Sequence, residues 1–198
     1  MLTTIFRAIV DKGAQYSVIF YAPAFPFWLI IHLNIEYWRG NAKKAYLTAF
    51  LMWTAISGPL LLYKADVFSL RWQSPGWMIG LGAMILILAL LLGRLTFRNT
   101  SLPTILGLVE LEPSKNIQPL LQRGIYSRTR HPIYLAHSIF ILGLAMVTGF
   151  AANWGLLALD CVLIPLTILA EERELIRRYG DGYRAYMRRV PRFFPKWP

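Results

Sequence analysis

The chain is poor in the groups that most enzyme chemistry draws on. It has one cysteine, Cys161, and three histidines, His32, His131 and His137. An intramolecular disulfide and a thiolate metal site are thereby excluded, and no His-x-x-x-His or carboxylate spacing points to zinc or iron. Cys161, inside the last apolar run, reads as a small buried apolar residue. There is no Gly-x-Ser-x-Gly elbow, no Walker loop and no strand-turn-helix glycine fingerprint. Gly80-Leu81-Gly82, with Gly76-x-x-x-Gly80 before it, lies in an apolar run and predicts close helix packing instead. The apolar runs lack period-two alternation, so a membrane β-barrel is excluded as well. Internal repeats and low-complexity linkers are also missing.

What the chain does have is apolar residues in long runs. They make up 56% of its 198 residues, and the mean hydropathy is positive. The fold class this predicts is all-α and integral to a membrane. Five candidate spans fall at 16–35, 45–63, 76–97, 133–149 and 152–170, each near the ~20 residues that cross hydrocarbon. The fourth is the shortest and can extend back to Pro132. One domain is expected over 1–198: three scaffold spans (1–97), a linker (98–132), a helical hairpin (133–170) and a tail (171–198).

A net charge of +11 would suggest nucleic acid in a soluble chain, but here the basic residues sort by loop. With five spans, the tail, the linker and the loop near Lys43 share one side. That side carries 17 of the 21 Lys and Arg, which by the positive-inside rule makes it cytosolic and the N-terminus external. No cleavable signal peptide is expected; Leu2, Ile5, Phe6 and Ile9 follow the spacing of an interfacial helix. Trp38, Trp72, Trp77 and Trp154, near span ends, suit a membrane aromatic belt, and His32 and Asn34 read as interfacial. Asp160 is an ionisable group inside a span, either partnered by His137 or making a plain polar helix–helix contact.

The linker is the only long polar connection, and loops of more than about 12–15 residues in compact proteins are usually functional or disordered. Pro103, Pro113, Pro119 and Gly124 divide it into turns. Its apolar residues, Ile105, Leu106, Leu108, Val109, Leu120, Leu121 and Ile125, suit a cap that excludes water. In the tail, Leu175, Ile176, Tyr179, Tyr183, Tyr186 and Met187 fall near one helical face, while the arginines suit anionic lipid head groups.

The hairpin concentrates the chemistry. Its two apolar runs are joined by almost nothing, so Arg130-His131-Pro132-Ile133-Tyr134 at one end and Glu171-Glu172 at the other meet at one membrane face. Helix axes about 8–10 Å apart leave room for a small polar ligand between them. Pro132 suits a first helical turn, and His131 and Tyr134 share a face if the helix has begun there. S-adenosylmethionine fits these groups: a carboxylate for its ammonium or ribose, an apolar or aromatic wall for adenine, and Arg, His or backbone amides for its carboxylate. Methyl transfer needs no metal, and well-held reactants gain ~7–11 kcal/mol from proximity.

These motifs resemble a known group. Gly124-Ile125-Tyr126, Arg130-His131-Pro132-x-Tyr134, Gly143, Glu171-Glu172 and Tyr179-Gly180-x-x-Tyr183-x-x-Tyr186 before Val190-Pro191 are similar in order and spacing to the isoprenylcysteine carboxyl methyltransferase family, itself related to membrane phospholipid methyltransferases. The resemblance covers about the last 80 residues. It implies about five membrane helices, with S-adenosylmethionine under the linker and tail and a lipophilic acceptor entering from the bilayer. By position it implies that Gln118, Pro119, Leu120, Leu121, Tyr126, His131, Pro132, Ile133, Tyr134 and Glu171 line the cofactor pocket. Glu172 is taken with its neighbour, and Arg130 is expected to shape or neutralise the site. Isoprenylcysteine enzymes carry an arginine one turn before the first matching glutamate, where this chain has Thr167, so a carboxylate, amine or thiol acceptor stays open. Two other readings remain: an NADPH-dependent steroid or sterol reductase with Arg123, Arg128 and Arg130 on the phosphates, and a non-catalytic membrane scaffold.

Overall fold

The computed structural model describes residues 2–195, without the side chains of Leu2, Thr3, Thr4 and Phe6. The chain runs through α1 (Leu2–Leu33), α2 (Ile35–Trp38), α3 (Ala42–Leu62), α4 (Lys64–Val67) and α5 (Gly76–Asn99). The linker holds α6 (Leu102–Ile105), α7 (Leu108–Leu111) and a 3-10 turn (Gly124–Ser127), and α8 (Pro132–Thr148), α9 (Ala151–Tyr179) and α10 (Asp181–Arg189) follow. No strand occurs among the described residues. Four helices, α1, α3, α5 and α9, are long and apolar enough to cross a membrane, and α8 is a shorter apolar helix that does begin at Pro132.

The expected spans match these helices, with two differences in extent. At the N-terminus the interfacial helix and the first span are one continuous α1; Leu2 and Phe6 lie outside the described side chains, while Ile5 and Ile9 are exposed. At the other end, α9 continues past Ala170 for more than two turns as far as Tyr179. That extension lifts Glu171, Glu172 and Glu174 out of the apolar run on a rigid rod.

In the core, α1 packs on α9 and α5 on α8. The second pair crosses closely because two glycines face each other. A Cβ on Gly82 would come within 2.9 Å of Met146 and Val147, and one on Gly143 within 2.8 Å of Leu86. Gly76 and Gly80 have no neighbour within 4 Å of such a Cβ, so close packing rests on Gly82 alone of the glycines read for it. We expect Gly82→Leu to lower unfolding stability in detergent by roughly 1–3 kcal/mol, as overpacking does, and Gly80→Leu to stay within about 0.5 kcal/mol of wild type. Equal losses in a thermal scan would contradict this geometry.

The hairpin turns at Gly149, whose φ of +71° closes α8 in the left-handed conformation. A Cβ there would strike the Trp72 carbonyl oxygen at 2.2 Å. This end also holds the Arg71–Asp11 ion pair at 3.0 Å and the adjoining Trp72 and Trp154 rings. The opposite end collects α2, the linker and the tail, tied by Arg39 to Glu174 and by the Gly40 amide to the Leu111 carbonyl. The loops expected on one side thus lie together.

Two expectations are corrected here, and one left open between two alternatives is decided. Cys161 is exposed rather than buried, because α9 turns Leu156, Asp160, Ile164 and Ile168 inward and leaves the next position facing out. Trp38 is a core residue packed with Ile31, Ile35 and Leu111, whereas Trp77 is exposed as a belt residue would be. Asp160 accepts a hydrogen bond from Ser138 at 2.7 Å, one α9-to-α8 contact, and His137 packs against Tyr21 and Tyr134 instead.

Candidate functional site

The Arg-His-Pro segment is anchored before it can bind anything. Arg130 and His131 donate their backbone amides to the carbonyls of Pro191 and Arg192, at 3.0 and 3.3 Å, so the tail end lies alongside the start of α8. The Arg130 guanidinium donates to Glu172 Oε1 at 2.7 and 2.9 Å and to the carbonyls of Met187 and Val190. Glu172 also meets His131 Nε2 at 3.2 Å and accepts from Arg192 at 2.7 Å. Pro132 supplies the first turn, where its missing N–H costs nothing.

The tail tyrosines hold the linker down. Tyr186 donates to the Tyr126 carbonyl at 2.6 Å and Tyr179 to the Gln118 carbonyl at 2.9 Å. Tyr183 and Tyr186 are buried against Leu120, Leu175 and Met187. Burial pushes both hydroxyls above the usual tyrosine value, so they stay protonated at any physiological pH. The face read along the tail is therefore a docking face for the linker, broken between α9 and α10 at Gly180. Several tail arginines have protein partners: Arg178 with Glu174, Arg192 with Glu172, and Arg189 with Gln122.

Two cavities open beneath this clamp. The first, about 550 Å³, is walled by Gln118, Pro119, Leu120 and Leu121 of the linker and by Leu175, Arg178 and Tyr179 of α9. The second, about 690 Å³, is walled by His131, Pro132, Ile133 and Tyr134, with Trp28, His32 and His137 behind them. The two share Thr104, Glu110, Tyr126, Arg130 and Glu171, so they adjoin along that wall. Beyond the second, an apolar groove of about 740 Å³ between α5 and α8 shares Ile133 and His137 with it.

Every residue nominated for the pocket lines one of the two cavities except Glu172, whose carboxylate is taken up by Arg130, His131 and Arg192. Glu171 has a different environment. Its Oε2 lies 3.6 Å from His131 Nδ1, and among the described residues it has no hydrogen bond. Adjacent positions on a helix point about 100° apart, which separates a carboxylate for the cavity from one for the clamp.

Among the wall residues not nominated for the pocket are His32 and Glu110. His32, read as interfacial, is buried and borders the second cavity, stacked near Trp28. Glu110, on α7, borders both cavities. It arrives there because Gly107, with φ +71°, turns the chain directly over the Trp28 ring, where a Cβ would come within 2.5 Å. Burial, then the neighbouring Glu171, pushes its carboxyl up to about 7. Nothing in the local sequence marks it; a lone glutamate in a polar linker looks solvated.

The class of protein follows from this fold together with the comparisons. The profile of the phospholipid methyltransferase family matches residues 77–182, from the start of α5 into α10, and the chain belongs to that family. Among curated proteins it is 38% identical over 78 residues to a cobalt-zinc-cadmium resistance protein of Cupriavidus metallidurans, covering 39% of this chain and 36% of that one. It is 34% identical over 80 residues to the protein-S-isoprenylcysteine O-methyltransferase of Schizosaccharomyces pombe, covering 40% and 34%. A methanethiol S-methyltransferase of Bradyrhizobium diazoefficiens is 35% identical over 86 residues, covering 43% and 28%. The chain thus matches about a third of the length of these relatives. No solved structure matches it.

Proposed function

We propose that the chain is a membrane methyltransferase that takes a methyl group from S-adenosylmethionine and delivers it to a lipophilic acceptor arriving from the bilayer. One observation carries this reading: two adjoining cavities share a wall bearing Glu110 and Glu171, and the second shares Ile133 and His137 with a groove between membrane helices. The first cavity suits the donor. Glu171 and Glu110 each leave a buried carboxylate oxygen without a hydrogen bond, which fits a donor whose ammonium meets Glu171 and whose sulfonium meets Glu110. Arg178 on the same cavity suits a carboxylate, and Tyr126, Tyr179 and Leu120 suit a purine face.

When bound, the donor supplies an electrophilic methyl carbon. The protein's own residues supply alignment and exclusion of water. The linker closes over the first cavity through Tyr179 and Tyr186, while Glu172, by fixing Arg130 and His131, sets the start of α8 relative to Glu171. His131 spans both glutamates, so it couples the clamp to the cavity. The groove between α5 and α8, lined mostly by apolar residues such as Leu90, Phe97 and Phe140, suits an acyl or prenyl chain. By the distribution of basic residues, this end of the bundle faces the cytosol and the N-terminus lies outside.

The reductase reading has less support, because Arg130 is held by Glu172 and two carbonyls rather than left for phosphates. Incubating the purified protein with methyl-labelled S-adenosylmethionine and a membrane lipid extract tests the proposal. Label should pass into the organic-soluble fraction; absence of transfer alongside extract-dependent oxidation of NADPH would overturn it.

A further inference from the structure

Resting on that proposed function, we infer that Glu110 is the proton acceptor of the reaction, and that the acceptor substrate is therefore a thiol or amine on an apolar chain rather than a carboxylic acid. The geometry comes first. Glu110 lies in the wall common to both cavities, where the donor's methyl and the acceptor's nucleophile have to meet. Its Oε2 is out of contact with solvent and without a hydrogen-bond partner. Glu171, in the same wall, has the His131 ring 3.6 Å from its Oε2, a neighbour suited to holding it ionised. Two carboxylates beside the junction would repel a carboxylate acceptor. Arg130, the cation of that wall, is already paired with Glu172, so it does little to offset the repulsion.

The charged and titratable groups around Glu110 agree with this role. From α9 it faces the carboxylates Glu171 and Glu174 and the guanidinium of Arg178. Arg130, at the start of α8, Tyr126 of the linker and His32 of α1 share its cavities, and its charge is felt by Tyr134 of α8 and Tyr46 of α3. Burial and Glu171 outweigh Arg178, so the carboxyl is pushed up to about 7, a value suited to a general base near neutrality.

With a thiol, Glu110 takes the S–H proton as a lone pair on the acceptor sulfur forms the new bond to the methyl carbon. The methyl–sulfonium bond breaks with its electron pair remaining on the donor sulfur, which becomes a neutral thioether. With an amine, the nitrogen lone pair attacks and the proton of the resulting ammonium passes to Glu110. Either way the carboxyl returns its proton to water after product release, and no oxidant or reductant is consumed.

Glu110→Gln keeps the shape and removes the base. Three readings test it, with dodecanethiol, dodecylamine and dodecanoate as acceptors. Calorimetry of S-adenosylhomocysteine binding should give the same affinity for wild type and variant, which also shows that the variant is folded. Calorimetry of S-adenosylmethionine near pH 7, in two buffers of different ionisation enthalpy, should show proton release from wild type as the sulfonium favours the ionised carboxylate, and none from Glu110→Gln. Methyl transfer to the thiol or amine should rise with pH through about 7 in wild type and fall at least about 100-fold in the variant, with dodecanoate unreactive in both. Unchanged transfer in the variant, equal proton release, preferential methylation of dodecanoate, or loss of S-adenosylhomocysteine binding confined to the variant would each overturn the assignment. Failure of wild type to bind S-adenosylhomocysteine would instead overturn the methyltransferase reading beneath it.

Discussion

Glu171→Ala is expected to weaken S-adenosylhomocysteine binding roughly 10- to 100-fold while leaving the thermal unfolding of the protein near that of wild type. The size follows from the ~1.5–3 kcal/mol of a hydrogen bond to a charged group, here a carboxylate that borders both cavities and keeps one oxygen unengaged. The small structural cost follows from its surroundings. Its side chain is 19% exposed, and its contact with His131 is a loose 3.6 Å. Calorimetric titration and a thermal scan of the same preparation check both halves; wild-type affinity in a folded Glu171→Ala protein would remove Glu171 from the binding site.

The neighbouring substitution should behave in the opposite way. Glu172→Ala is expected to cost about 3–5 kcal/mol of stability, the usual penalty for removing one partner of a buried ion pair. Arg130 and Glu172 are 7% and 5% exposed, so the guanidinium would keep its burial and lose its counter-charge. His131 and Arg192 would lose a partner with it. Arg192→Ala removes only the exposed member of the cluster, 44% accessible, and should cost no more than about 1 kcal/mol. A thermal scan of the three proteins distinguishes them; equal, small shifts would mean that the cluster does not hold the tail to α8.

The contrast between two adjacent glutamates shows where the sequence stopped being informative. Hydropathy runs were enough to place the long helices, because burial in lipid leaves few alternatives to an apolar helix. The meeting of Arg130–Tyr134 with Glu171–Glu172 followed from the shortness of the turn at Gly149. Which glutamate faces the cavity did not, since that depends on the rotation of α9, fixed by its packing on α1 and α8. The tail tyrosines were visible as one face, yet their task, holding Gln118 and Tyr126, needed the fold of the linker. Glu110 and His32 were invisible for the same reason: Glu110 reaches the cavities because Gly107 seats the linker on Trp28, and His32 stands against that same ring. Cys161 went wrong by one helical position, the precision at which a hydrophobic run carries no information about facing.

The central claim is that this site holds a methyl donor. Calorimetric titration of the detergent-purified protein with S-adenosylhomocysteine, and in parallel with NADPH, tests it most directly. The account predicts saturable binding of S-adenosylhomocysteine, weakened by Glu171→Ala, and no binding of NADPH. Binding of NADPH without S-adenosylhomocysteine would contradict it and move the chain to hydride chemistry.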